Sequence, residues 1–113
     1  MVIRHQCLDD VFQALADPTR RAMLALLARG EATAGELGAP FRISQPAASK
    51  HIRVLERAGL VSRRVDGRLH RLRLVPRPLR EAEAWIERHR RFWEASLDSL
   101  GRTLADITKE ATP

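Results

Sequence analysis

Two pairs of side chains invite a chemical reading: Ser49 with His51, and Cys7 with His5. A hydroxyl nucleophile needs its base within hydrogen-bond reach. Ser49 and His51 are two residues apart on what the pattern makes a helix, and side chains so spaced do not face each other. Cys7 is the single cysteine of 113 residues, without acid–base partners, and no intrachain disulfide can form. Soft metals require converging thiolates, which Cys7 and His5 do not supply. Near the other end, Glu87, His89, Glu94 and Asp98 offer carboxylates and one histidine, groups ordinarily solvated on a helix surface. None of these sets builds an active site, so the chain is expected to be no enzyme and to hold no metal or other cofactor.

The cations carry more information. Between Arg42 and Arg73 nine bases (Arg42, Lys50, Arg53, Arg57, Arg63, Arg64, Arg68, Arg71 and Arg73) face two acids, Glu56 and Asp66, a net +7. The whole chain carries +6, so everything outside that segment sums to −1. Excess charge confined to one segment marks a polyanion-binding face, and together with the helix-turn-helix pattern of the same segment it makes double-stranded DNA the expected partner. A protein-interaction module would leave this charge unexplained. With 44% apolar and 30% charged residues, composition is that of one soluble globular domain spanning residues 1–113. No apolar run approaches the roughly 20 residues needed to cross a bilayer. The opening "MVIRHQCLDD" has no apolar stretch of signal-peptide length, so no export is expected, and a lone cysteine suits a reducing cytoplasm. A membrane-surface role is disfavoured because the last helix mixes Arg and Glu in similar numbers.

Periodicity and end signals define the elements that position these cations. Leu8, Val11, Phe12 and Leu15 predict a helix over 8–16. Asp17 as N-cap, Pro18 at the first helical position and Gly30 as stop bound a second helix, with Met23, Leu26 and Leu27 inward and Arg20 and Arg21 outside. Thr33 and Glu36 form a capping box opening a short helix that carries Leu37. Ser44 caps the next helix, whose Pro46 falls in the first turn, where amide groups lack intrahelical partners. Ala48, Ile52 and Leu55 face inward there, Ser49, Lys50, Arg53 and Arg57 outward, and Gly59 ends it. A short helix joined by a tight turn to a second is a helix-turn-helix, and small Ala47, Ala48 and Ser49 permit close approach to another surface. Residues 60–74 then alternate apolar and cationic around Asp66-Gly67, predicting a hairpin with a type I′ turn. Its Arg63, Arg64, Arg68 and Arg71 are placed to meet phosphates. The fold expected is mainly α with a small β-hairpin: a winged helix-turn-helix of about five helices and a two-stranded wing.

Residues 79–109 contain Gly101 as their only glycine and no proline, predicting a long helix. Ile86, Trp93, Leu100 and Ile107 recur every seven residues, joined by Leu97 and Leu104. Such a seam is built to meet another helix, so a homodimer is expected here, with Leu8 and Phe12 of helix 8–16 assisting. The closing "TKEATP" is expected to fray.

"LADPTRRAMLALL" and "FRISQPAASKHIRVLERAGLVSRRVDGRLHRLRL" resemble the ArsR-type winged-helix transcriptional regulators over about residues 8 to 105. The resemblance implies a homodimer that binds a palindromic operator and represses transcription. It directs Ser44, Gln45, Ser49, Lys50, His51 and Arg53 to DNA, with Ala47 beside them, and centres the wing on Asp66-Gly67-Arg68. The helix would enter the major groove N-terminus first, Gln45 and Ser49 reading base edges. Metal- and arsenic-sensing members carry Cys-x-Cys where this chain has "TAGELGAP", so it resembles the metal-free branch. The alternative is a metal-responsive repressor whose site lies on the C-terminal helix. No effector is named by the residues.

Overall fold

The computed structural model describes the backbone of residues 2–111 and the side chains of residues 8–109. Along it run α1 (Val2–Leu15), α2 (Pro18–Leu27), β1 (Ala32–Thr33), α3 (Ala34–Gly38), α4 (Gln45–Arg57), β2 (Val61–Asp66), β3 (Leu69–Leu74) and α5 (Arg77–Ala111). The described residues form a mainly helical winged helix-turn-helix with five helices and a β-hairpin. The chain divides into two compact units, one ending at Ala82 and one beginning at Glu83.

Local chemistry accounts for the helix boundaries. The Arg20 amide donates to Asp17 Oδ2 at 3.0 Å, so Asp17 caps α2 as its sequence predicts. That amide holds the Asp17 carboxyl below its ordinary range, with His51 and the Arg20 charge adding to the effect and burial opposing it. Both bonds of the α3 capping box are present: Thr33 N–H to Glu36 Oε1 at 3.0 Å and Glu36 N–H to Thr33 Oγ1 at 3.1 Å. Thr33 likewise lowers the Glu36 pKa, first through its amide and then through its hydroxyl. At α4 the Ala47 amide donates to Ser44 Oγ at 3.2 Å, and Pro46 sits in the first turn. The far end closes with Leu60 N–H to Leu55 O at 3.0 Å and Gly59 N–H to Glu56 O at 2.9 Å. Gly59 has φ of +76°, so this is a Schellman stop, and buried Leu55 and Leu60 provide its apolar contact.

Four expectations are corrected. Helix α1 begins at Val2 rather than at residue 8, because no Gly or Pro interrupts 2–15 and extending a nucleated helix costs little. The His5 and Cys7 side chains lie outside those described, and the suggested pairing between them with them. The sheet has three strands in the order β1-β3-β2, its extra strand too short at two residues to show alternation in sequence. The hairpin turn sits one residue later than expected. Asp66 pairs with Leu69, leaving Gly67-Arg68 as the loop, with Gly67 at φ +62° and, among the described residues, no non-glycine residue at positive φ. That pattern suits a type II′ turn rather than I′. Finally, α5 runs to Ala111, so "TKEA" continues the helix, while Thr112 and Pro113 lie outside the described residues.

The core of the first unit gathers Val11 and Ala14 from α1, Met23, Leu24 and Leu27 from α2, and Leu37 from α3. Ala48, Ile52 and Leu55 of α4 join them, with Val61 and Leu72 from the sheet. Each large member contributes about 1.5–3 kcal/mol by leaving water. Helices α3 and α4 approach closely at Gly38, where a Cβ would lie 3.1 Å from that of Ala48.

Candidate nucleic-acid interface

Burying Ala48, Ile52 and Leu55 turns the other side of α4 to solvent. Gln45, Ser49 and Arg53 stand in one row, each a turn beyond the last, with Lys50 and Arg57 beside them. Gln45, Lys50, Arg53 and Arg57 are exposed and Ser49 and Ala47 half-buried. Among the described residues none of the five polar side chains makes a hydrogen bond or ion pair within the chain. Ser44 is exposed but its hydroxyl accepts the capping bond.

His51 is the residue of this set that turns away from the row. Its Nδ1 meets Arg20 Nη1 at 3.3 Å, with Asp17 Oδ2 3.8 Å from the same nitrogen. A guanidinium only donates, so in this contact Nδ1 is the acceptor. Arg20, which the helical pattern placed outside, is half-buried. Besides His51 it donates to Ala14 O at 2.8 Å and Gln13 O at 2.9 Å, while Arg21 donates to Leu15 O at 2.8 Å. Apolar spacing carries no signal for such a role.

Strand register sorts the wing arginines. Paired residues share a sheet face. Val61 with Leu74 and Arg63 with Leu72 therefore lie on the face that meets the core. There Arg63 forms a two-point ion pair with Glu56 and donates to His70 Nδ1 at 2.9 Å. Glu56 raises the Arg63 pKa above its ordinary value through that hydrogen bond. Ser62 with Arg73 and Arg64 with Arg71 occupy the opposite face. Glu31 Oε2 lies 3.8 Å from Arg64 and Asp66 Oδ2 lies 3.5 Å from Arg71, each easing the like-charged cross-strand pair. Arg68, in the turn itself, is exposed and unpaired among the described residues. The nine bases of the segment are thus not equivalent: some are spent within the fold and some are free.

Within α5, Ile86, Phe92, Trp93, Leu97, Leu100, Leu104 and Ile107 are all exposed, Leu97 at 66% and Leu100 at 55%. The Trp85 and His89 rings stack at 4.3 Å with Trp93 tilted against both, and His89 Nδ1 donates to Trp85 O at 2.8 Å. Arg90 bonds Glu94 at 2.9 Å and pairs with Glu87 at 3.4 Å, which raises its pKa, Glu94 most of all. Among the described residues no three His, Cys, Asp or Glu side chains are grouped to hold a metal ion. None of the described helices is long and apolar enough to cross a membrane. On α1, Leu8 and Phe12 are half-buried against the core of their own unit.

A helix-turn-helix domain model matches residues 15–64. The transcriptional repressor SdpR of Bacillus subtilis (strain 168) is 35% identical over 79 residues, covering 70% of this chain and 88% of the relative. The HTH-type transcriptional regulator Rv2034 of Mycobacterium tuberculosis (strain ATCC 25618 / H37Rv) is 39% identical over 96 residues, covering 85% and 87%. A solved ArsR family transcriptional regulator superposes with a TM-score of 0.74 at 42% identity, over 79% of this chain and 92% of its own.

Proposed function

This chain belongs to the ArsR-type winged helix-turn-helix transcriptional regulators, a DNA-binding family, and we propose that it acts as a homodimeric repressor on a palindromic operator. The observation that carries the reading is the row on α4. Small side chains, and Gln45, Ser49, Lys50, Arg53 and Arg57, unpaired among the described residues, project from a helix whose other face is buried in the core.

In this reading α4 enters the major groove with Gln45 and Ser49 leading. A glutamine amide pairs with adenine N6 and N7, and Lys50 or Arg53 reaches guanine or phosphate. Arg68 extends the contact from the turn of the wing to phosphate or minor groove, and its charge contributes affinity by counterion release. Arg64 and Arg71 add to the positive field, while Arg63 and His51 act indirectly, through Glu56 and Arg20. Repression follows from occupying a promoter, in the cytoplasm with the chromosome. The exposed α5 seam supports dimerisation, since a contiguous apolar face of this length on one helix is rarely left in water. Two copies of α4 would then meet half-sites about one helical turn, roughly 34 Å, apart.

Selecting duplexes from a random-sequence library tests the whole reading. A two-fold symmetric consensus bound by two chains, with affinity falling steeply as salt rises, is expected. Enrichment of no sequence overturns it.

A further inference from the structure

Asp17-Pro18-Thr19-Arg20 starts α2, but capping explains only Asp17 and Pro18, and leaves Arg20 over. The Arg20 side chain ties α2 to two other elements. On α1 it takes the carbonyls of Gln13 and Ala14, which lie in the last turn, where helices lack internal donors. A cation there also complements the negative end of the helix. From α2 its third arm reaches His51, midway along α4.

We propose that Arg20 is a positioning residue for α4: through His51 it sets the rotation at which the Gln45-Ser49-Arg53 row meets DNA. The proposal rests on the DNA-reading role of α4. Burial of Ala48, Ile52 and Leu55 holds α4 in the core, but apolar burial is non-directional and tolerates rotation about the helix axis. Directional bonds supply what it lacks. Along α4 the described side-chain bonds to other elements are Arg20 to His51 and Arg63 to Glu56. Arg20 is suited to the task because its guanidinium is a rigid plane already anchored at two points on α1. A lysine keeps the charge but presents no such fork. A small rotation of α4 displaces base contacts more than phosphate contacts, because bidentate pairing is geometrically narrow. Arg20 therefore governs discrimination between sequences rather than general DNA affinity.

The test compares the duplex selected by the wild-type chain with a random duplex of equal length at one salt concentration. Arg20→Lys, His51→Ala, His51→Gln and the Arg20→Lys/His51→Ala double variant are measured, each checked for a cooperative melt. Arg20→Lys and His51→Ala should each lower the selected-to-random affinity ratio about three- to tenfold, the scale of one hydrogen bond. Random-duplex binding should stay within about twofold. His51→Gln should restore the ratio, because its amide oxygen accepts from Arg20. The double variant should lose no more than the worse single one, as members of one coupled unit do. Losses that add, with no rescue by glutamine, would mean that His51 touches DNA itself and would overturn the proposal. So would a ratio unchanged by Arg20→Lys in a cooperatively melting chain. A wild-type chain that selects no duplex overturns the DNA reading as well, which separates the two failures.

Discussion

Arg63 closes a two-point ion pair on Glu56, Nη2 to Oε1 at 2.7 Å and Nε to Oε2 at 3.1 Å, which fastens the first wing strand to the last turn of α4. A side chain whose type and neighbourhood suggest a phosphate contact is thus already neutralised inside the fold. Arg68, five residues on, has no such partner among the described residues.

These two arginines should therefore behave differently. Arg68→Ala should weaken binding to every duplex and reduce the slope of log affinity against log salt by about one. Arg63→Ala should leave that slope unchanged and cost about 0.5–1 kcal/mol of stability, as for a partly exposed pair. Salt titrations and thermal melts of both variants check this. Equal slopes for Arg68→Ala and wild type would remove the wing turn from the interface.

Gln45→Ala should flatten preference at one or two operator positions, losing about 1–3 kcal/mol of discrimination there. Binding to random duplex should hold. Repeating the duplex selection with the variant reads both effects, and an unchanged consensus would show that Gln45 reads no base.

If the α5 seam joins two chains, Leu100→Glu buries an unpaired carboxylate, at a cost of about 3–5 kcal/mol. Sedimentation should give a dimer for the wild type and a monomer or aggregate for the variant. A wild type that sediments as a monomer at micromolar concentration defeats the dimer and the palindrome together.

Acid should weaken the N-terminal caps of α2 and α3. The folded pKa values of Asp17 and Glu36 are depressed, so their contribution is complete above the ordinary carboxylate values of about 3.9 and 4.3 and fades as pH falls through the folded ones. Asn caps a helix about as well as Asp without titrating. Melting temperatures between pH 6 and pH 2.5 should thus fall less for Asp17→Asn than for wild type. Parallel curves would show that the Asp17 charge contributes nothing.

Zinc, cadmium and arsenite should bind no more tightly than micromolar, and none should release DNA. Glu87 and Glu94 are held by Arg90, and His89 stands without a second imidazole or thiolate beside it in the described structure. Stoichiometric zinc after dialysis, lost in His89→Ala, would reverse this.

Much of the fold was legible because it is locally encoded. Asp17, the Thr33/Glu36 box, Ser44 and Gly59 end helices through bonds spanning a few residues, so each announces itself within its own segment. The buried stripe of Ala48, Ile52 and Leu55, and with it the exposed row on α4, follows from helical periodicity alone. The confinement of positive charge to residues 42–73 is likewise a property of the chain before it folds. What the sequence could not apportion was the use of each cation and histidine. His51 and Ser49 lie two residues apart, yet one turns to Arg20 and the other to solvent; Arg63 and Arg64 are adjacent, yet strand alternation sends them to opposite faces. The strand β1 and the shift of the wing turn to Gly67-Arg68 belong to the same class. Partners such as Arg20 with His51 are 31 residues apart, and no local preference encodes a hydrogen bond across that distance. Only packing of α2 against α4 brings the donor and acceptor together, so only the tertiary structure separates the side chains that hold the reading helix from those free to read.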